Sequence, residues 1–126
     1  MIKKFSQLTK KQKGDFGERI AKQYYLQNGH KVVEENYHTL VGEIDLITYK
    51  NHKHYFIEAK FNINKMHGSA FERWRRFQSK RFIKAAKYFI AKKNIDIDLI
   101  QIDFIEFVQI KDTKVLLHRY KNLNLE

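Results

Sequence analysis

Two segments rich in β-branched and aromatic residues, 42–49 and 54–60, flank a short polar tip that contains Asn51 and His52. Such a pattern is typical of a β-hairpin, although the tip lacks the Asn-Gly pair of the tightest turns. In an antiparallel hairpin, the position of the turn decides which residues of the two strands face each other. A turn centred between Asn51 and His52 therefore predicts the register of the whole hairpin.

This register brings two acidic residues together. Asp45 is expected to face Glu58 directly, with Cβ atoms about 4.5–5.5 Å apart. Like charges placed opposite each other destabilise a sheet, and the chain has only 14 Asp and Glu against 25 Lys and Arg. The pair therefore predicts a compensating cation, and Mg²⁺ is the natural candidate because it is commonly held by one or two carboxylates. The alternative is that both acids lie on an ordinary solvated sheet face.

Two further charged side chains are expected beside this pair. Lys60 follows Glu58 by two residues, so both side chains point to the same face of the sheet. Glu18 lies at the edge of the apolar face of a predicted helix, from which it can reach the crevice between helix and sheet. An ammonium group beside carboxylates can orient a water or neutralise charge on phosphorus in a transition state. The alternatives are a strand-end surface lysine at Lys60 and a helix-dipole role for Glu18.

The chain is strongly basic, with a formal net charge of +11 over 126 residues. This charge predicts a polyanionic partner, either nucleic acid or an anionic membrane surface. The Cys count of 0 excludes disulfide scaffolds, Cys-based zinc sites, iron–sulfur clusters and thiol nucleophiles. The lack of disulfides fits a reducing cytosol, residues 1–7 have no apolar core of a secretory signal, and no apolar run approaches a membrane span. We therefore expect a cytoplasmic protein without a membrane partner.

The remaining pattern predicts a helix, three strands, a second helix and two further strands. The first helix is expected to begin near Asp15 and the second to run from Ser69 to about Lys93. This order predicts the α/β or α+β class, with one mixed sheet flanked by two helices. The predicted parts of the chain are a basic N-terminal arm (1–13), one domain (14–120), a loop within it (61–68) and a C-terminal tail (121–126).

The second predicted helix places apolar and basic side chains on opposite faces. Nine Lys and Arg residues lie between Arg73 and Lys93, with few acids opposing them. This favours contact with a nucleic-acid backbone, while a solubilising face and a membrane-surface helix are the alternatives. The residues expected to bind nucleic acid are Arg73, Arg76, Lys80, Lys84 and Lys87.

Three segments resemble a known family when taken in order. They are Gly14-Asp15-Phe16-Gly17-Glu18, Gly42-Glu43-Ile44-Asp45-Leu46-Ile47 and Ile57-Glu58-Ala59-Lys60. Together they resemble the bacterial YraN family, which is similar to archaeal Holliday junction resolvases, and the acidic pair with its lysine resembles the PD-(D/E)xK signature of restriction-endonuclease-like nucleases. The resemblance covers roughly residues 14–120. The chain departs from it at His38, where the family usually has Arg, and at Gln101-Ile102-Asp103, which lacks the arginine of the family's R-F-D.

The resemblance implies a restriction-endonuclease-like core of the order αβββαβ that depends on Mg²⁺ or Mn²⁺. It implies Asp45, Glu58 and the backbone carbonyl of Ala59 as metal ligands, Glu18 as a supporting acid and Lys60 as the catalytic lysine. It also implies branched DNA as the substrate and makes a homodimer plausible. We therefore expect a metal-dependent DNA endonuclease. The alternatives are a nucleic-acid-binding module that keeps the fold without cutting, and a basic assembly or adaptor protein.

Overall fold

A five-stranded mixed sheet with helices on both faces forms the protein, as seen in a computed structural model that describes residues 5–62 and 68–124. This confirms the predicted α/β class, and the arrangement is consistent with a restriction-endonuclease-like core. In chain order the elements are α1 (Lys10–Gln27), β1 (Lys31–His38), β2 (Glu43–Lys50), β3 (Lys53–Asn62), α2 (Ala70–Phe77), α3 (Ser79–Lys92), β4 (Ile100–Lys111) and β5 (Lys114–Leu123).

The strands lie side by side in chain order, and only the β3–β4 pair is parallel. The predicted hairpin register is confirmed over five pairs, from Lys50 opposite Lys53 to Leu46 opposite Ile57. Asn51 and His52 have φ angles of 51° and 66°, which is the conformation of a two-residue type I′ turn. The tight turn therefore forms without glycine.

The sheet separates two hydrophobic cores. Phe56 and Phe104 belong to the core beneath α2 and α3, whereas Ile57 and Ile105 belong to the core beneath α1. Successive strand residues point to opposite faces, so β3 and β4 are apolar on both faces where they pass between the helices. Most of the buried middle of the sheet is therefore apolar on both faces.

Strand β2 is irregular at Asp45. Ile44 packs in the core beneath α2 and α3, but Leu46, two residues later, packs in the core beneath α1. Residues two apart in a regular strand share a face, so β2 is not regular between Ile44 and Leu46. Asn36 on the neighbouring strand β1 has a positive φ of 49°, and the β2–β3 pairs end at Leu46 and Ile57. Strands β2 and β3 therefore separate at Asp45.

The predicted second helix is divided into two. It is interrupted at Gln78, whose φ of −124° and ψ of −19° are not helical. The Ser79 hydroxyl donates a hydrogen bond of 2.7 Å to the Arg75 carbonyl, and hydroxyl bonds to the preceding turn often bend helices. As a result α2 and α3 are separate elements, and the expectation of one continuous helix was wrong at this point.

The ends of the fold differ from the predicted boundaries. Helix α1 begins at Lys10 rather than near Asp15, because Thr9 and Gln12 form a capping box. Part of the expected basic arm is therefore helical, and β5 extends into the expected tail as far as Leu123. Residues 63–67 of the predicted loop, 1–4 of the arm and 125–126 of the tail lie outside the described residues. Within the described ranges, no helix has the length and apolar character needed to cross a membrane.

Candidate active site

A cavity of about 620 Å³ opens where β2 separates from β3. Four elements form its walls. The wall residues are Lys10, Gly14 and Glu18 of α1, Glu43 and Asp45 of β2, Ala59, Lys60 and Phe61 of β3, and Ala70, Arg73, Trp74 of α2 with Gln78 after it. A second cavity of about 230 Å³ shares Glu18, Asp45 and Ala59 with the first. The fold therefore brings Glu18, Asp45, Ala59 and Lys60 to the wall of one cavity.

Asp45 points between the separated strands. The Ala59 backbone N–H donates a hydrogen bond of 2.9 Å to Asp45 Oδ2. This N–H is available because the β2–β3 pairs end at Leu46 and Ile57, one pair before Asp45 and Glu58. The expectation that Asp45 and Glu58 face each other as a regular ladder pair was therefore wrong, although the two carboxyl groups remain close enough for Asp45 to raise the pKa of Glu58.

Glu58 is buried below the cavity, with 7% of its surface exposed. Burial raises its pKa well above the ordinary value, and hydrogen bonding to Asp45 and repulsion from Asp45 raise the pKa further. Lys60 and the Trp74 indole act in the opposite direction. The Trp74 Nε1 is buried without a hydrogen-bond partner among the described residues, and an ionised Glu58 would be its natural acceptor.

Glu18 reaches the same place from α1. Its pKa is raised to about 7, first by burial and then by repulsion from Asp45 and hydrogen bonding to Asp45. Lys60 lowers this pKa but does not cancel the increase. Three carboxyl groups thus share one lysine, and burial together with repulsion from Asp45 raises the pKa of both Glu18 and Glu58.

The donor set fits a hard divalent cation. Carboxylate and carbonyl oxygens are the ligands that Mg²⁺ prefers, and a bound cation would relieve the repulsion that raises the pKa of Glu18 and Glu58. In the ranges 5–62 and 68–124, no group of three or more His, Asp or Glu side chains is arranged to hold a metal ion by itself. The residues that fit are therefore two side chains, Asp45 and Glu58, completed by the Ala59 carbonyl and by solvent or substrate.

Arg73 lines the cavity, unlike the other four residues that are expected to bind nucleic acid. Its guanidinium donates hydrogen bonds of 3.0 Å to Asn62 Oδ1 and 2.9 Å to the Gly68 carbonyl. The Asn62 amide in turn donates a 2.9 Å bond to the buried Glu106 carboxylate, which also accepts the Phe71 N–H at 3.1 Å. These contacts fix the Arg73 side chain beside Lys60.

Sequence reasoning missed Asn62 and Glu106. Glu106 lies opposite Lys60 in the parallel β3–β4 register. The sequence contains no short signal for this pairing because the parallel strands are joined through α2 and α3. An acid at an otherwise apolar strand position was the available hint, since a fully buried acid needs hydrogen-bonding partners.

The rest of the predicted basic stripe is exposed. Arg76 of α2 and Lys80, Lys84 and Lys87 of α3 all lie at the surface. Their exposure leaves these charges available to a polyanion, in contrast to the half-buried Arg73.

Asp103 lies on the other face of the sheet, beneath α1, and is fully buried. It accepts hydrogen bonds from the Tyr25 hydroxyl at 2.6 Å and from Arg119 Nη2 at 2.7 Å. In the segment Gln101-Ile102-Asp103, glutamine stands where the R-F-D of the resemblance has arginine. The arginine that contacts Asp103 is instead Arg119, which comes from the neighbouring strand β5. This network ties α1 to the far edge of the sheet.

Residues 17–114 match the family described as uncharacterised protein family UPF0102. The chain is 37% identical over 99 residues to a UPF0102 protein of Clostridioides difficile strain 630, covering 79% of this chain and 87% of the relative. It is 30% identical over 116 residues to a UPF0102 protein of Caldanaerobacter subterraneus subsp. tengcongensis, covering 92% and 94%. A UPF0102 protein of Shewanella loihica is 38% identical over 95 residues, covering 72% and 83%.

Proposed function

The chain belongs to the uncharacterised protein family UPF0102, the YraN family, and for this member we propose the function of a metal-dependent DNA endonuclease of the PD-(D/E)xK type. The proposed substrate is branched or otherwise structured DNA, cut by a homodimer. One observation carries the proposal: Glu18, Asp45 and Lys60 line one cavity, with Glu58 buried beside Asp45, in a chain of net charge +11.

Asp45, Glu58 and the Ala59 carbonyl would hold the cation in this proposal. Mg²⁺ or Mn²⁺ held by these groups would supply a Lewis acid that stabilises the negative charge developed during phosphodiester hydrolysis. The repulsion between the carboxyl groups supports this assignment. Lys60 alone does not offset this repulsion, and a bound cation would.

The side chains around the cavity have distinct roles in the proposed reaction. The Lys60 ammonium orients the attacking water and neutralises charge on the scissile phosphate. Glu18 lies beside Asp45 in the cavity wall and completes the acidic wall that orients the water. Lys10 and Arg73, on opposite sides of the cavity, bind phosphates of the DNA backbone.

Cleavage of labelled DNA tests the proposal. A four-way junction, a flap and a linear duplex are incubated with the protein in Mg²⁺, in Mn²⁺ and in EDTA. We expect metal-dependent cutting of the branched substrates. Glu58→Gln and Lys60→Ala should each lower the rate by at least about 100-fold while DNA affinity stays within a few-fold. The matched control Glu34→Gln, which removes an exposed acid on β1, should cut at the wild-type rate.

Two outcomes would contradict the proposal. Binding of DNA without cutting under any metal condition would identify a non-catalytic nucleic-acid-binding module. A lack of DNA binding even at low salt, where phosphate contacts are strongest, would exclude both nucleic-acid functions and favour a basic adaptor protein.

A further inference from the structure

The turn between β1 and β2 presents an apolar tip in a fixed conformation. Leu40 is fully exposed at 104% and Val41 is exposed at 45%. Thr39 Oγ1 accepts the N–H groups of Val41 and Gly42 at 3.1 and 3.0 Å, and the Thr39 N–H donates to the Gly42 carbonyl at 2.8 Å. Gly42 also packs directly on the backbone carbonyl of Arg81 in α3. The apolar tip is therefore held in place although nothing within the chain covers it in the described ranges.

An aromatic groove of about 680 Å³ lies beside this tip. Tyr37, His38, Tyr88 and Lys92 line it together with the tip residues. Tyr37 is held by an edge-to-face contact with Phe89, with ring centroids 5.3 Å apart. Tyr88 is half exposed, and Lys92 Nζ lies 5.9 Å from the centre of its ring. Aromatic rings combined with a cation are the features on which proteins stack unpaired bases.

The groove adjoins the proposed catalytic cavity. His38 lines the groove, Glu43 lines the cavity, and His38 Nδ1 lies 2.9 Å from Glu43 Oε2. Leu40 precedes Asp45 by five residues, which limits their separation to about 17 Å in an extended chain. This distance corresponds to roughly five nucleotides of one DNA strand. A DNA strand bound in the cavity would therefore need to extend by only about five nucleotides to reach the tip.

Positive charge surrounds the tip and groove. Lys80, Lys84, Lys87 and Lys92 are exposed along α3, the helix on which the turn packs. A second copy of this basic chain placed here would bring like charges together, whereas a DNA backbone would neutralise them. The surface is thus complementary to DNA rather than to another copy of the protein.

We propose that Leu40 is a wedge that enters the base stack of bound DNA, and that the groove formed by Tyr37, His38, Tyr88 and Lys92 receives a base displaced from the stack. This inference rests on the proposed function and narrows its substrate. Apolar side chains of DNA-binding proteins unstack base steps in this way, at an energetic cost, and that cost is lowest where bases are already unpaired. The substrate class is therefore DNA with unpaired bases at a branch, such as a fork or flap.

A base-analogue experiment tests the wedge without requiring cleavage. 2-Aminopurine, which fluoresces more strongly when unstacked, is placed in the first base pair of a forked duplex, and binding is measured in EDTA. Wild-type protein should raise the fluorescence, and Leu40→Ser should abolish the rise while leaving the circular dichroism spectrum unchanged. Tyr88→Ala should weaken fork binding by about 5-fold or more with little effect on a fully paired duplex. The control Leu116→Ser, at a 54% exposed residue on the opposite edge strand β5, should change neither signal.

The outcomes separate this inference from the proposed function. Wild-type cutting together with unchanged unstacking by Leu40→Ser and Tyr88→Ala would overturn the wedge and leave the nuclease intact. Unstacking that depends on Leu40 without any cutting would support the wedge and contradict the nuclease. A fall in molar mass on Leu40→Ser, with an unchanged fluorescence signal, would show that the tip joins two copies of the chain and would also overturn the wedge.

Discussion

His30 is a buried histidine whose surroundings favour its neutral form. Its Nδ1 lies 2.8 Å from Thr48 Oγ1, and its ring contacts Tyr25 and Tyr55 edge-on at centroid distances of 4.9 and 4.4 Å. Burial lowers its pKa from the ordinary value near 6.5, and the charges of Lys50 and Arg119 lower the pKa further. Asp103 opposes these effects without reversing them. The folded protein therefore resists protonation of this ring.

This resistance makes stability depend on pH. As the pH falls below about 6.5, His30 in the unfolded chain binds a proton that the folded state does not, so the free energy of unfolding decreases. His30→Gln should cost about 1–3 kcal/mol at pH 7.5 through lost packing, and this deficit should shrink as the pH falls to 5. Urea denaturation across this pH range measures the effect. His52→Asn, at the exposed hairpin tip, should leave the pH dependence as in the wild type; a constant deficit for His30→Gln would contradict the assignment.

The site shows which residue contacts follow from local sequence. The meeting of Asp45, Glu58 and Lys60 follows from a two-residue turn and the alternation of strand side chains, both of which are local. The irregularity of β2 at Asp45 does not follow from local sequence, because it depends on packing Ile44 and Leu46 into different cores. The hydrogen bond from the Ala59 N–H to Asp45 forms at that irregularity, so it could not be predicted.

At the scale of elements, the packing of the β1–β2 turn on α3 fixes the position of the strand end that leads to Asp45. Gly42 does not adopt a positive φ, so it is needed for a close approach and not for an unusual backbone conformation. A Cβ atom there would lie 1.9 Å from the Arg81 carbonyl oxygen. The contact between this turn and α3 joins residues that are far apart in the sequence, so it could not be predicted from a local pattern.

Substitution of two glycines by alanine should have opposite effects on stability. Gly42→Ala should lower the free energy of unfolding by about 1–3 kcal/mol or more, because backbone atoms must move to admit the new methyl group. Gly14→Ala is the matched control: it lies within α1, where an added Cβ meets nothing within 4 Å. Better helix propensity should stabilise this variant by about 0.5–1 kcal/mol. Equal effects of the two substitutions in thermal or urea denaturation would contradict the contact with α3.

At the scale of the whole molecule, a small acidic cluster contrasts with a basic surface. Glu18 and Asp45 line one cavity and Glu58 is buried beside Asp45, while Lys80, Lys84 and Lys87 are exposed on α3. The net charge follows from the composition, and the basic face of α3 was predicted from the helical spacing of its lysines. The position of Glu106 and Asn62 beside the cavity required the parallel pairing of β3 with β4, which spans both helices and has no local signal.

The dependence of DNA binding on salt should locate the interface on this surface. Each lysine that neutralises a phosphate contributes about 0.9 to the slope of log affinity against log salt concentration. Replacing Lys80, Lys84 and Lys87 by Gln should therefore reduce the slope by about 2–3, as measured by fluorescence anisotropy at several salt concentrations. The control replaces three exposed lysines of the β4–β5 hairpin, Lys111, Lys114 and Lys121, by Gln. Both variants lower the net charge from +11 to +8, so an equal loss of slope in the two would reflect overall charge and would contradict an interface on α3.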